Sequence, residues 1–443
     1  MRIGRILAIS LSVALSAGLV GCGDADGDDE NAGSEGARIT YWAVSMSSSI
    51  TDDEAVLEPL LETFTEETGV EVDLEVVPWA DLWNRILTAV SSGQGPDVLN
   101  TGNTWSASLQ ATGEFLEFDD EALEAIGGAG KFIETSLAAT GAEGMPPATI
   151  PLYGQAYGLY YNTELFAEAG IDEPPSTWEE MVDIGQQLTQ DTDGDGDTDQ
   201  WGLSILAGNG GVGSHFAFIL GRQHGGSLFD ESGNPQFDSD EQVAAVRRYL
   251  DLMVTDQVVS PSNAEFTMTE AADQLAQGTA AMVFGQASTR RTLASLDFDD
   301  YGVARIPSPA ELPEGGSDIG SMVAGTNIAV MDGSEHVDEA LQLVGFLTDV
   351  DAQVELNRTY GTLPVIEEAY EHEAFDDHAI QTLSVNLRDH AEPFPQVPEV
   401  GQMETLVGGA VKELFAQAAT GTVTDEDIRS ALEEADRQME AAG

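Results

Sequence analysis

The sequence predicts an α/β fold in two lobes, and three observations carry that expectation. Apolar segments of strand period alternate with segments of helix period from residue 37 onward. The alternation is strand–helix–strand, the order that builds a mostly parallel sheet. The stretch to be folded, about 400 residues, exceeds the size at which one hydrophobic core keeps growing, so two cores are expected.

The elements follow in order. Arg38-Ile39-Thr40-Tyr41-Trp42-Ala43-Val44 reads as a buried strand. Val56, Leu57, Leu60, Leu61 and Phe64 then share one face of a helix that Gly69 ends. Val70, Val72, Leu74 and Val76 alternate with acids as a second strand, a short helix spans 82–90, and residues 96–100 form a third strand. In such a sheet, ligands sit at the carboxyl ends of strands, which places 42–47, Trp79 and 103–105 on one rim. Further on, Pro175-Ser176-Thr177 with Glu180 is a helix start with a hydroxyl cap and an acid three residues later. Val243, Val246, Leu250 and Met253 mark another helix face, and two more helices close the chain around 406–415 and 428–439.

Charge narrows the partners. The chain of 443 residues carries 16 Lys and Arg against 79 Asp and Glu, a net charge of −63. Lys131 and Lys412 are its only lysines. Phosphate binding needs clustered cations, so nucleic acid and anionic membrane surfaces are poor partners. A hydrophobic content of 42 % with regular periodicity argues against disorder as the source of the acidity. Adaptation to molar salt, where the screening length falls to about 3 Å, is the expected source.

The first residues read as an export signal. Arg2 and Arg5 precede an apolar run from Ile6 to Val20, too short to span a bilayer comfortably. Leu19-Val20-Gly21-Cys22 resembles the bacterial lipobox, which implies a signal peptide over 1–21 and lipidation of Cys22. Cys22 is the only cysteine, so a mature chain has no disulfide. Residues 22–36 lack large apolar side chains and are expected to be an acidic tether between lipid and domain.

Three ordered motifs resemble one family. Ile150-Pro151-Leu152-Tyr153 leads to Gly158-Leu159-Tyr160-Tyr161-Asn162 and then to Pro174-Pro175-Ser176-Thr177-Trp178-Glu179-Glu180-Met181. Gly278-Thr279-Ala280-Ala281-Met282 and Gly361-Thr362-Leu363-Pro364 follow in the same order. They resemble the extracellular solute-binding proteins of family 1, which include the maltodextrin-binding proteins. The resemblance covers nearly all of 37–443. It implies a two-lobed, periplasmic-binding-protein-like type II fold, each lobe a mostly parallel sheet flanked by helices, with the ligand cleft at the hinge. Crossings are expected near 153–157, 306–309 and 361–364, making lobe one 37–153 plus 308–362 and lobe two 154–307 plus 363–443. It further implies capture of a small sugar without chemistry, delivery to a membrane permease driven by a cytoplasmic ATPase, a lipid-anchored monomer outside the cytoplasmic membrane, and no required cofactor.

A sugar presents apolar C–H faces and rings of hydroxyls, so its site needs aromatic plates beside amides, carboxylates or guanidiniums. Carried over by position, the candidates are Trp42 and Ser45 after the first strand and Asn103, Thr104 and Trp105 after the third. Gln155 and Tyr157 stand at the first crossing, and His215, with Phe216 beside it, belongs to lobe two. A buried core indole is the competing fate for Trp42, while Trp79 and Trp83 straddle a helix start and are assigned to packing. Gly285-Gln286-Ala287 stands where the family often has a tryptophan, which weakens the case for a long stacked oligosaccharide. Two rival readings stay open: a secreted glycosidase using two carboxylates, or a binding protein for glycerol phosphodiesters, polyamines or peptides.

Asp191, Asp193, Asp195, Asp197 and Asp199 alternate with Gly194 and Gly196 in the manner of a structural calcium loop. Gly202 replaces the twelfth-position glutamate of an EF-hand, and a solvated charge run is the alternative. Gly208-Asn209-Gly210-Gly211-Val212-Gly213 matches a dinucleotide fingerprint but lacks the surrounding βαβ unit, so a cleft loop is expected. His372, Asp376, Asp377 and His378 fit no standard metal spacing and are assigned to exposed helix surface.

Overall fold

A computed structural model describes residues 36–47, 49–230 and 232–442. The expected signal peptide, Cys22 and all but the last residue of the tether lie outside the described residues. The opening elements form as their periodicity dictates. Strand β1 (Arg38–Val44) is followed by the helix Ile50–Thr68, β2 (Glu71–Val77), the helix Trp79–Ser92 and β3 (Val98–Gly102). Gly69 ends the first helix in the left-handed conformation at φ 77°, where a side chain would be strained.

Two sheets organise the chain. The first joins β1–β3 to β4 (Ile150–Gln155) and, from far along the sequence, β10 (Ala324–Val330), in the order β2-β1-β3-β10-β4. The second contains β5 (Tyr157–Asn162), β6 (Trp201–Ser204), β7 (Ala280–Gln286) and β8 (Tyr301–Ala304), in the order β6-β7-β5-β8. Both are mixed rather than mostly parallel. β1 pairs parallel with β2 and β3, but β10 runs antiparallel to β3 and β4, and β5 runs antiparallel to β7 and β8. The reason is topological: β10 and β5 arrive from the other lobe, not through a βα crossover, so no helix connection forces a parallel direction.

Strand alternation decides what each sheet covers. Ile39, Tyr41 and Ala43 face a core with Leu57, Leu61 and Phe64, to which β10 adds Ile328 and Val330. Val44, Leu99, Ala329 and Met331 face the opposite core with Leu82, Ile86 and Leu109. A fully buried Phe such as Phe64 contributes about 1.5–3 kcal/mol by leaving water. The second sheet packs Leu159, Leu203, Met282 and Phe284 against the helices Gly210–Gln223, Asp240–Val254 and Val400–Ala418.

Three segments pass between the sheets. β4 ends at Gln155 and β5 starts at Tyr157, so only Ala156 separates them. Beside this crossing, Gly154 and Leu363 exchange backbone hydrogen bonds of 2.8 and 2.9 Å. A Cβ on Gly154 would stand 2.9 Å from the Leu363 carbonyl oxygen, so glycine permits the two crossings to touch. The third crossing carries the short strand β9 (Ser321–Met322), against which β11 (Ala391–Glu392) runs parallel. The crossing expected at 306–309 therefore falls later, at 321–324. Ile306, Ile319 and Met322 stay in the second sheet's core, and Ser308 bridges to Thr177. Apolar side chains inside a long connection held it to the second lobe.

Candidate functional site

The carboxyl ends of β1, β2 and β3 converge on a cavity of about 500 Å³ between the two sheets. Its first wall is aromatic. Pro78 starts the helix Trp79–Ser92 directly after β2, and the Trp79 backbone N–H donates to Ser45 Oγ at 3.3 Å. That contact ties the helix start to the end of β1 and projects Trp79 over the rim, 44 % exposed. The Trp79 and Trp105 rings stack at 5.5 Å with planes 29° apart, and Trp83 tilts against Trp105 from behind at 4.9 Å. Gly102 leaves room for the Trp105 indole, because a Cβ there would come within 3.1 Å of the ring. Rings paired this way leave their outer faces and edges as an apolar wall of the cleft.

The remaining walls are polar. Gln155 Oε1 accepts from the Ser288 backbone N–H at 3.1 Å, which aims its amide NH₂ away from that contact. Asn103 Nδ2 donates to the Val323 carbonyl at 2.7 Å. Tyr157 Oη lies 2.8 Å from His215 Nδ1, His215 Nε2 lies 3.3 Å from Glu404 Oε1, and Thr104 Oγ1 donates to Glu404 Oε2 at 3.2 Å. Burial raises the Tyr157 phenol above its ordinary value, so the hydroxyl keeps its proton. A phenol that keeps its proton can either donate to or accept from Nδ1, and His215 Nε2 stands beside the Glu404 carboxylate. This chain joins the second sheet's helices to Thr104 of the first lobe. Ser108 Oγ to the Pro398 carbonyl and Arg291 Nη1 to the Met46 carbonyl are further contacts between the halves.

The family model described as bacterial extracellular solute-binding protein matches residues 47–354. The chain belongs to that family. Among relatives, it is 24 % identical over 414 residues to the diacetylchitobiose binding protein DasA of Streptomyces coelicolor, covering 90 % of this chain and 88 % of that one. It is 26 % identical over 235 residues to the arabinooligosaccharide-binding protein of Halalkalibacterium halodurans, covering 52 % and 48 %. A solute-binding protein of Thermotoga lettingae bound with α-D-tagatose superposes with a TM-score of 0.75 at 20 % identity, covering 91 % of this chain and all of that one. The Bdellovibrio bacteriovorus MalE domain bound to maltotriose gives 0.71 at 20 % identity, covering 91 % and 100 %. These likenesses establish the two-lobed fold. No helix among the described residues is long and apolar enough to cross a membrane.

In this solute-binding protein, Ser45, Asn103, Thr104, Trp105, Gln155, Tyr157 and His215 all line the cleft. Trp42 and Phe216, offered as ligand contacts, do not. Arg85 lies over the Trp42 ring at 4.0 Å, and the indole packs toward the Leu82 core. Phe216 is sandwiched between Tyr249 and Phe284, each 5.0 Å away, because one residue along a helix rotates a side chain about 100° from His215. Trp79, assigned to packing, is instead a cleft plate. Its position directly after β2 was the available signal, since strand ends form the rim. Glu404 gave no sequence signal. It enters the cleft because the helices Gly210–Gln223 and Val400–Ala418 touch through glycines: a Cβ on Gly408 would stand 2.1 Å from the Gly210 carbonyl oxygen.

The other motifs resolve simply. The segment 208–213 is no loop but a helix start, where Asn209 Oδ1 caps the Val212 N–H at 3.2 Å and Asn209, Gly211 and Val212 line the cleft. Asp377 caps the helix His378–Asp389. Asp191, Asp193 and Asp195 bring carboxylate oxygens within 4.8 Å of one another on an exposed turn. Gly194 and Gly196 have φ of 80° and 102°, and their N–H groups donate to Asp191. Asp199 turns aside: its carboxylate accepts from Thr192, which lowers its pKa, and Asp197 also stands outside the triad.

Proposed function

We propose that this chain captures a saccharide or polyol between its lobes and releases it to an importer, without altering it. The observation that carries this reading is the stacked Trp79–Trp105 plate facing a wall of amides and hydroxyls. C–H faces of a sugar would lie on the indoles while Gln155, Asn103, Gln286 and Thr289 meet its hydroxyls. Relatives named for diacetylchitobiose and arabinooligosaccharide support the same class of solute. Because residues of both lobes line the cavity, ligand contacts are complete only when the halves approach, so binding favours the shut form. Capture rather than catalysis is supported by the cleft itself: Glu404 is the one carboxylate among its lining residues, whereas glycoside hydrolysis uses two.

In this reading, lipidated Cys22 tethers the protein outside the cytoplasmic membrane, and the shut form docks as a monomer on a permease coupled to an ATPase. A calcium ion on Asp191, Asp193 and Asp195 would brace the exposed turn, far from any step of capture. Calorimetry with calcium in molar KCl checks this second element, and no heat would remove it. For the main reading, tryptophan fluorescence and melting temperature are followed across a panel of mono- and disaccharides, polyols, glycerol phosphodiesters, polyamines and short peptides. A sugar or polyol is expected to quench or shift the fluorescence and raise the melting temperature. If only a polyamine, phosphodiester or peptide does so, the reading is wrong.

A further inference from the structure

We infer that Glu404 makes the cleft a charge filter, admitting neutral and amino sugars and refusing uronates and sugar phosphates. This rests on the saccharide reading above and narrows it. Thirty side chains and backbone positions line the cavity, and Glu404 is the only formally charged group among them. Among the described residues, no Lys or Arg lines it. Arg291 reaches the lining residue Met46, but only through its carbonyl, and its guanidinium faces the Tyr360 ring at 6.0 Å.

The carboxylate is held in place by a contact on each oxygen. Thr104 Oγ1 anchors one oxygen and His215 Nε2 the other, with side chains only 18 % exposed at Glu404 and 15 % at His215. The Tyr157 hydroxyl occupies His215 Nδ1 and so fixes the imidazole beside Glu404. A fixed negative charge in a half-enclosed, aromatic-walled cavity repels a second anion far more than it would in open water. Each oxygen retains acceptor capacity, which suits a sugar hydroxyl or an ammonium.

The test compares matched probes: glucose, glucosamine, glucuronate and glucose 6-phosphate, the galactose counterparts, and any disaccharide that binds beside its aldonic acid. Affinities are measured by calorimetry in 0.2 M and 2 M KCl, for the wild-type protein and for Glu404→Gln. Neutral and amino sugars are expected to bind, with their acids at least about a hundredfold weaker. That gap should survive 2 M KCl, because contact charges are screened little while the long-range field of the whole chain is quenched. In Glu404→Gln, the ratio of acid to neutral affinity should rise at least about tenfold. Acids binding as tightly as their neutral partners overturn the filter while leaving saccharide capture intact. A gap that vanishes in high salt, or persists in Glu404→Gln, assigns selection elsewhere and also overturns it. If no saccharide binds while another class of solute does, the saccharide reading fails and the filter with it. Melting curves of Glu404→Gln establish that the variant is folded, and the wild-type comparison stands without it.

Discussion

Two neighbouring glycines, Gly408 and Gly409, should respond oppositely to the same substitution. A Cβ at Gly408 would meet the Gly210 carbonyl oxygen at 2.1 Å and its carbon at 2.7 Å, whereas one at Gly409 meets nothing within 4 Å. The obstruction is backbone, so no rotamer relieves it and the helix Val400–Ala418 must move away from Gly210–Gln223. Overpacking of this kind costs about 1–3 kcal/mol. Gly409→Ala only removes backbone freedom from a helix interior, which stabilises by about 0.8–1 kcal/mol. The pair should therefore separate by about 2–4 kcal/mol. Urea denaturation followed by far-ultraviolet circular dichroism in molar KCl measures this as opposite shifts of the midpoint. Glu404 lies one turn before Gly408 on the same helix face, so the outward shift should also weaken Thr104–Glu404 and His215–Glu404 and lower affinity for any sugar that binds. Gly408→Ala unfolding with the wild type, or both variants losing stability alike, would refute the close-contact account of how these helices seat Glu404.

Three further outcomes follow from particular residues. Trp79→Ala should leave the denaturation midpoint nearly unchanged, since the ring is already 44 % exposed, yet weaken sugar binding about tenfold; unchanged affinity would remove Trp79 from the plate. Burial, with Asp238 alongside, raises the Asp436 carboxyl from 3.8 to about 6. The native state then binds more protons than the unfolded one across that window, so this group's contribution to stability falls as pH rises from about 4 to about 6. Asp436→Asn should remove that component, and identical midpoint-against-pH slopes for variant and wild type would contradict it. With a net charge of −63, the melting temperature should rise between dilute and molar KCl, and a flat profile would dismiss self-repulsion as a determinant of stability.

The aromatic half of the site was legible early. Trp105 follows a strand and is flanked by polar residues, and Gln155 and Tyr157 stand where the chain changes sheets. Periodicity places strand ends, and strand ends make the rim. Trp79 was misread because a helix start after a strand serves packing and ligand contact equally well in one dimension. Only the hydrogen bond from its N–H to Ser45 and the stack on Trp105 decide between them. Phe216 and His215 show the same limit at one-residue resolution: adjacent positions share a local sequence but point about 100° apart around the helix, one into the cleft and one into the core.

Local pattern by itself determined the elements of β1 through β3, the glycine end of the first helix, the acidic surface and the need for two cores. These depend on side-chain period and composition within a few residues. Tertiary structure alone decided that β10 runs antiparallel, that the return crossing falls at 321–324, and that Glu404 meets Thr104 across 300 positions. Each depends on distant segments touching, as where Gly408 admits the Gly210 backbone. Such contacts follow from the shape complementarity of two surfaces, to which neither segment's own periodicity refers.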